Sequence, residues 1–109
     1  MSKLLITTQV YENYAWDADG NLGTGANAHW KAKGGSDYVV KNVDECDMVL
    51  DIVYRASRLI EFDNDACREE VIGWKIVADD YLTDFERSQL EYDGKIMFPA
   101  NVIEMENFR

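Results

Sequence analysis

Asp44 to Glu61 reads DECDMVLDIVYRASRLIE. At about 100° of rotation per residue, Asp44, Asp47, Asp51, Arg55 and Arg58 fall within a sector of roughly 80°. Cys46, Met48, Val49, Leu50, Ile52, Val53, Tyr54, Ala56, Leu59 and Ile60 occupy most of the remaining circumference. A surface helix hides one apolar stripe. This stretch has more to hide, and it reads as a long helix covered by its own sheet on one side and by something else on another. Asp44 is placed to accept the first backbone N–H groups as an N-cap. Asp47, three positions on, imitates a capping box with Asp in place of Glu, and both carboxylates suit the positive end of the helix dipole. Asp51 and Arg55 have the i,i+4 spacing of an ion pair worth a few tenths of a kcal/mol.

Working back from the helix, DYVVKNV (37–43) and HWKAK (29–33) flank Gly34, Gly35 and Ser36 and read as the two strands of a hairpin. Before them, ENYAWDADGNLGTGANA (12–28) is interrupted by Gly20, Gly23 and Gly25. It predicts a loop much longer than the usual ~4–6 residues, a length typical of functional or mobile segments. Tyr11, Tyr14, Trp16 and Trp30 lie in it or beside it and offer aromatic anchors. KLLITTQVY (3–11) is rich in β-branched residues and puts Leu4, Ile6, Thr8 and Val10 on one face of a strand.

Working forward, EFDNDA (61–66) reads as a polar connection and EVIGWKIVA (70–78) as a strand whose Gly73 marks a bulge or a close approach. Thr83 with Glu86 is a capping box that starts a short helix from Asp84 to about Tyr92, and Asp93-Gly94 ends it. Lys95 to Phe98 reads as another strand, Pro99 breaks it, and Asn101 to Met105 resumes as an edge strand. The order predicts a single α+β domain over residues 1–109. Its architecture is a two-layer sandwich in which a mainly antiparallel sheet of four to five strands carries one long and one short helix.

The 109 residues carry a formal net charge of −10, and the charge is segregated. Residues 1–43 hold four acidic and four basic side chains, whereas residues 44–109 hold seventeen acidic against seven basic. Such a chain does not hold DNA or RNA directly through phosphate contacts. No apolar run is long enough to span a bilayer, and the N-terminus lacks the pattern of a secretory signal, so the expected location is the cytoplasm. Cys46 and Cys67 make neither a disulfide framework nor a zinc pattern and read as reduced thiols.

Chemistry-bearing patterns are weak. Asp17, Asp19 and Asn21 alternate like the first ligands of a calcium loop, but Leu22 and Ala28 stand where glycine and an acidic ligand are required. GNLGTG (20–25) matches neither the phosphate-loop nor the dinucleotide spacing. His29 has no local signature pairing it with either cysteine, and the adjacent Asp79 and Asp80 precede a helix cap. No metal and no cofactor is expected, and no catalytic residue is assigned.

ITTQVYENY (6–14) and WKAKGGSDYVV (30–40) resemble the opening of small, uncharacterised bacteriophage-type proteins. The resemblance covers roughly the first 40 residues and carries no activity. It implies an accessory protein acting in the host cytoplasm, a class that includes acidic inhibitors of host or defence enzymes.

Three functional readings follow. The first is a non-enzymatic protein that binds a host protein through a basic surface on that partner, in its sharper form by imitating nucleic-acid phosphates. Its contact surface comprises Glu61, Asp63, Asp65, Glu69, Glu70, Asp79, Asp80, Asp84, Glu86, Glu91 and Asp93. The second is a small-ligand site or enzyme on the glycine and aromatic loop, using Tyr14, Trp16, Asp17, Asp19, His29 and Trp30. The third is a homodimer or larger oligomer through the second apolar side of the long helix.

Overall fold

The computed structural model describes residues 2–44 and 47–104. The alternation in the first segment produces β1 (Ser2–Asn13), with Leu4, Ile6 and Thr8 buried. β1 is the centre of the sheet. On one side it pairs antiparallel along its length with β5 (Cys67–Ala78); on the other it pairs antiparallel with both β2 (Trp30–Ala32) and β3 (Asp37–Val43). β4 (Phe62–Asp63) joins the outer edge of β5, and β6 (Asn101–Ile103) runs parallel to β3. The result is a curled, mixed and mostly antiparallel sheet, ordered β4-β5-β1-β3-β6 with β2 beside β3 along β1.

The α+β class and a strand over the first residues stand as expected, and the pairing departs from expectation. β2 and β3 do not form a hairpin with each other but lie end to end along β1. The hydrogen-bond ladder continues between them, with Lys33 N–H to the Val10 carbonyl at 2.8 Å, Val10 N–H to Gly34 at 2.7 Å and Thr8 N–H to Ser36 at 2.9 Å. The hairpin partner of both is therefore β1, across the long loop.

The helix α1 (Val49–Ile60) is shorter than the charged stretch suggests. Met48 is its N-cap and supplies no side-chain cap, so Asp44 does not cap it; Asp47 instead accepts the Asp44 N–H at 2.8 Å in a preceding turn. Cys46 lies outside the described residues. The expected Asp51–Arg55 pair forms at 3.1 Å, half exposed at both ends, where it adds little. α1 buries Ile52, Ala56 and Ile60 against Leu4, Ile6, Val40 and Val43, with Val49, Val53 and Val71 at the margin. Val40 and Val43 both reach this core because β3 carries a bulge opposite Ser2 and Leu4, with Asn42 in the left-handed region at φ 61°. Asparagine is among the few side chains that tolerate that conformation. The outer side of α1 is uncovered, with Leu50, Tyr54 and Leu59 all more than 60% exposed.

Opposite α1, Leu5 and Val39 are also buried. A cavity of about 520 Å³ borders this second face, between Thr7 and Asp37 of the sheet and Thr83, Phe85 and Pro99. Thr83 and Phe85 belong to the start of α2 (Asp84–Asp93), which has the predicted capping box and ends on Gly94 at φ 72°. The strand expected over Lys95–Phe98 is absent. Buried Gln89 takes up the backbone groups that a strand partner would have served: its Oε1 accepts from Met97 and Phe98 N–H, and its Nε2 donates to the Phe98 carbonyl. The polar connection at 61–66 contains a strand instead, because Asn64 Oδ1 accepts from Ala66 and Cys67 N–H and turns β4 onto β5. Gly73 marks a bulge, where the register slips between Thr7 and Thr8, and not a close approach.

Candidate functional site

The long loop is built around Asn13. This residue ends β1 and is 1% exposed. Its Nδ2 donates to the carbonyls of Gly23 (2.7 Å) and Asp65 (2.9 Å), and its Oδ1 accepts from the N–H groups of Ala15 (3.1 Å) and His29 (3.0 Å). One amide thus ties both ends of the loop to the β4–β5 turn. A second fastening is the bridge between Trp16 and Leu22. Between them Asp17 closes its own turn: Oδ1 accepts from Asp19 and Asn21 N–H at 2.9 Å each, and these bonds, chiefly the one from Asn21, hold the carboxyl below the usual aspartate value.

The frame brings Tyr14, Trp16, Asp17 and His29 around one open depression of about 550 Å³. Asp19 and Trp30 are not in its lining. Trp30 lies under the Arg68 guanidinium, 3.8 Å from the ring centre, and so joins the loop to β5. Beside the loop, Lys33 and Glu12 form an exposed ion pair that lowers the carboxyl's pKa and raises the ammonium's. The depression is shallow in chemistry: among the described residues no group of three or more His, Cys, Asp or Glu side chains is placed to hold a metal ion.

The eleven acidic residues fall in two places, residues 61–70 around β4 and the start of β5, and residues 79–93 after β5 and along α2. At the first, Arg68 lies 3.7 Å from Asp63 and 4.0 Å from Glu70, and Glu61 accepts the Val71 N–H. Asp65 is exposed, with its carbonyl held by Asn13. Glu69 is 7% exposed and does not belong to an outer contact surface. At the second place Asp79, Asp80, Asp84, Glu91 and Asp93 are all exposed. Glu86 is half-buried and committed to the Thr83 cap. Arg87, 3.8 Å from Asp84, is the one basic residue between 79 and 93.

Glu69 belongs to a buried cluster that the sequence pattern does not reveal. Its Oε2 accepts from Thr8 Oγ1 at 2.6 Å and from Tyr38 OH at 3.2 Å. Burial pushes the Tyr38 phenol above its ordinary value of 10.0, and the charge and hydrogen bond of Glu69 add to the rise. Because the folded state favours the neutral phenol, the stability it contributes is present below the ordinary tyrosine value and is lost as pH rises through the higher folded value. The melting temperature is therefore expected to fall above about pH 10, more steeply in the wild type than in Tyr38→Phe. Thermal melts across the alkaline range check this, and parallel curves for the two proteins would refute it.

Neither a family model, a curated protein nor a solved structure matches this chain.

Proposed function

We propose that this chain is a small, acidic, non-enzymatic binding protein whose partner is a protein with a basic surface. The observation that carries the reading is the local charge of residues 79–93. Six carboxylates share that segment with one arginine, and five of the six are exposed. Phe85, Leu90 and Tyr92 are exposed among them, so α2 presents aromatic and aliphatic surface within a negative field. Such a surface speeds encounter with a cationic partner and leaves apolar contacts to hold the complex once formed. The other acidic end is less suited, since Arg68 balances Asp63 and Glu70 and Glu69 is buried.

In the sharper form of the reading, these carboxylates take the place of nucleic-acid phosphates in a phosphate-binding groove. The bacteriophage-type resemblance of the opening residues makes a host protein, acting on nucleic acid or in defence, the proposed partner. The test is capture from host lysate at low and moderate salt with wild type and with the quadruple variant Asp79→Lys, Asp80→Lys, Asp84→Lys and Glu91→Lys. Glu86 is left in place because its side chain caps α2. The expected result is a retained protein whose binding weakens with salt and falls by about a hundredfold in the variant. Undiminished binding by a folded quadruple variant refutes the reading.

A further inference from the structure

The outer edge of β5 is open. β4 pairs with it only at Arg68 and Glu69, and the Glu61 carboxylate holds the Val71 N–H. From Ile72 to Val77 no described residue supplies a main-chain partner on that side, and the Ala78 carbonyl accepts from the Tyr81 N–H at 3.0 Å in the turn that follows. This edge reads IGWKIVA, with one charge, and its pairing with β1 is in uninterrupted register from Gly73 to Ala78. A regular, apolar strand edge of this length is a template for another strand, since each unpaired N–H and C=O gains a partner when one is added. Its large side chains are also uncovered: Ile72 is 59% exposed, Trp74 42% and Ile76 52%. Trp74 and Ile76 stand opposite Ile6 and Leu4, so they lie on the side of the sheet that carries α1.

We propose that the occupant of this edge is the β5 edge of a second copy, paired antiparallel about a two-fold axis through Trp74. The strand is self-complementary in that register. Directly opposed residues of an antiparallel pair share a face, so the axis passes through a residue and not between two. With Trp74 at the axis, tryptophan meets tryptophan and Lys75 meets the partner's Gly73, while the partner's Ile76 comes beside Ile72 at the bulge. The large apolar side chains of the two edges are then brought together. With Lys75 at the axis, two ammonium groups would oppose each other, which is destabilising. Charge also favours this edge over other surfaces of a chain at −10: residues 72–78 carry a single lysine, and carboxylates flank them only at Glu69 and Glu70 and at Asp79 and Asp80. The outer side of α1 is a poorer candidate, because Asp51, Arg55 and Arg58 separate Leu50 from Leu59 around the helix. The sheet would then run unbroken through both copies.

Sedimentation of the purified chain at tens of micromolar tests the proposal, with Trp74→Phe, Trp74→Lys and Ile76→Lys beside the wild type. Wild type and Trp74→Phe are expected to sediment as dimers. Each lysine variant is expected to weaken the dimer by more than about tenfold and to keep the wild-type circular dichroism, since both sites are about half exposed. A monomeric wild type overturns the proposal, and so does a dimer unchanged in both lysine variants. If one lysine variant fails to fold, the other decides. Loss of dimerisation with partner capture intact separates this inference from the acidic binding function.

Discussion

Asn13→Ala is expected to destabilise the protein by about 3 kcal/mol or more, a large share of the stability of a domain this size. The alanine removes four hydrogen bonds at once and leaves two carbonyls and two N–H groups to find other partners. A buried polar group deprived of its partner costs about 1–3 kcal/mol. The four do not simply add, because the loop relaxes once its tie is cut. Urea unfolding checks the value, with Asn13→Asp as the informative companion. Aspartate still accepts from Ala15 and His29, but its carboxylate faces the carbonyls of Gly23 and Asp65 with no proton to give. It is expected to be destabilised as well, so that neither size nor acceptor capacity alone rescues the fold. A loss below about 1 kcal/mol in Asn13→Ala would show that the amide is not the anchor.

The contrast between Asn13 and Thr83 shows what a sequence makes legible. Thr83 and Glu86 form their capping box within one turn, so the pattern and its partners sit in the same few letters. The alternation of β1 and the Asp51–Arg55 pair are local in the same sense. Asn13, Gln89 and Glu69 are polar residues whose partners are supplied by the fold: Asp65 for the first, Phe98 for the second, Thr8 and Tyr38 for the third. Nothing in their neighbourhood distinguishes them from solvated side chains, and Glu69 in particular reads as one more surface carboxylate. The start of α1 failed for a related reason. Asp44 and Asp47 have capping chemistry, but they bond each other in a turn ahead of the helix, and spacing alone does not choose between the two uses. Of the candidate loop residues, Tyr14, Trp16, Asp17 and His29 share one depression, a grouping set by the amide that the pattern did not single out.

Gly35→Ala is expected to be the most damaging of the glycine-to-alanine changes in this chain, costing about 3 kcal/mol or more or abolishing folding. A Cβ at this position would fall on the Thr8 carbonyl oxygen, well inside van der Waals contact, and would lie 2.9 Å from the Thr8 carbonyl carbon. Both are backbone atoms of the central strand, so no rotamer change relieves the clash. The only relief is for the chain at 34–36 to draw away from β1, and the Val10–Gly34 and Thr8–Ser36 bonds hold it there. Thr8 also holds Ser36 through its side chain while donating to Glu69, so displacement disturbs the buried cluster too. Further along the same strand are Val39, Val40 and the pairing with β6, which means the strain is passed toward the α1 core and is not dissipated in a loop. Gly20→Ala is the matched control. Its φ of 82° disfavours alanine, but the position is exposed and a Cβ there meets nothing within 4 Å, so its cost is expected to stay near 1 kcal/mol. Chemical denaturation of the two variants separates the steric cost from the conformational one. Equal losses would mean that the ladder between β2 and β3 yields easily, and that β1 does not hold the two as one continuous edge.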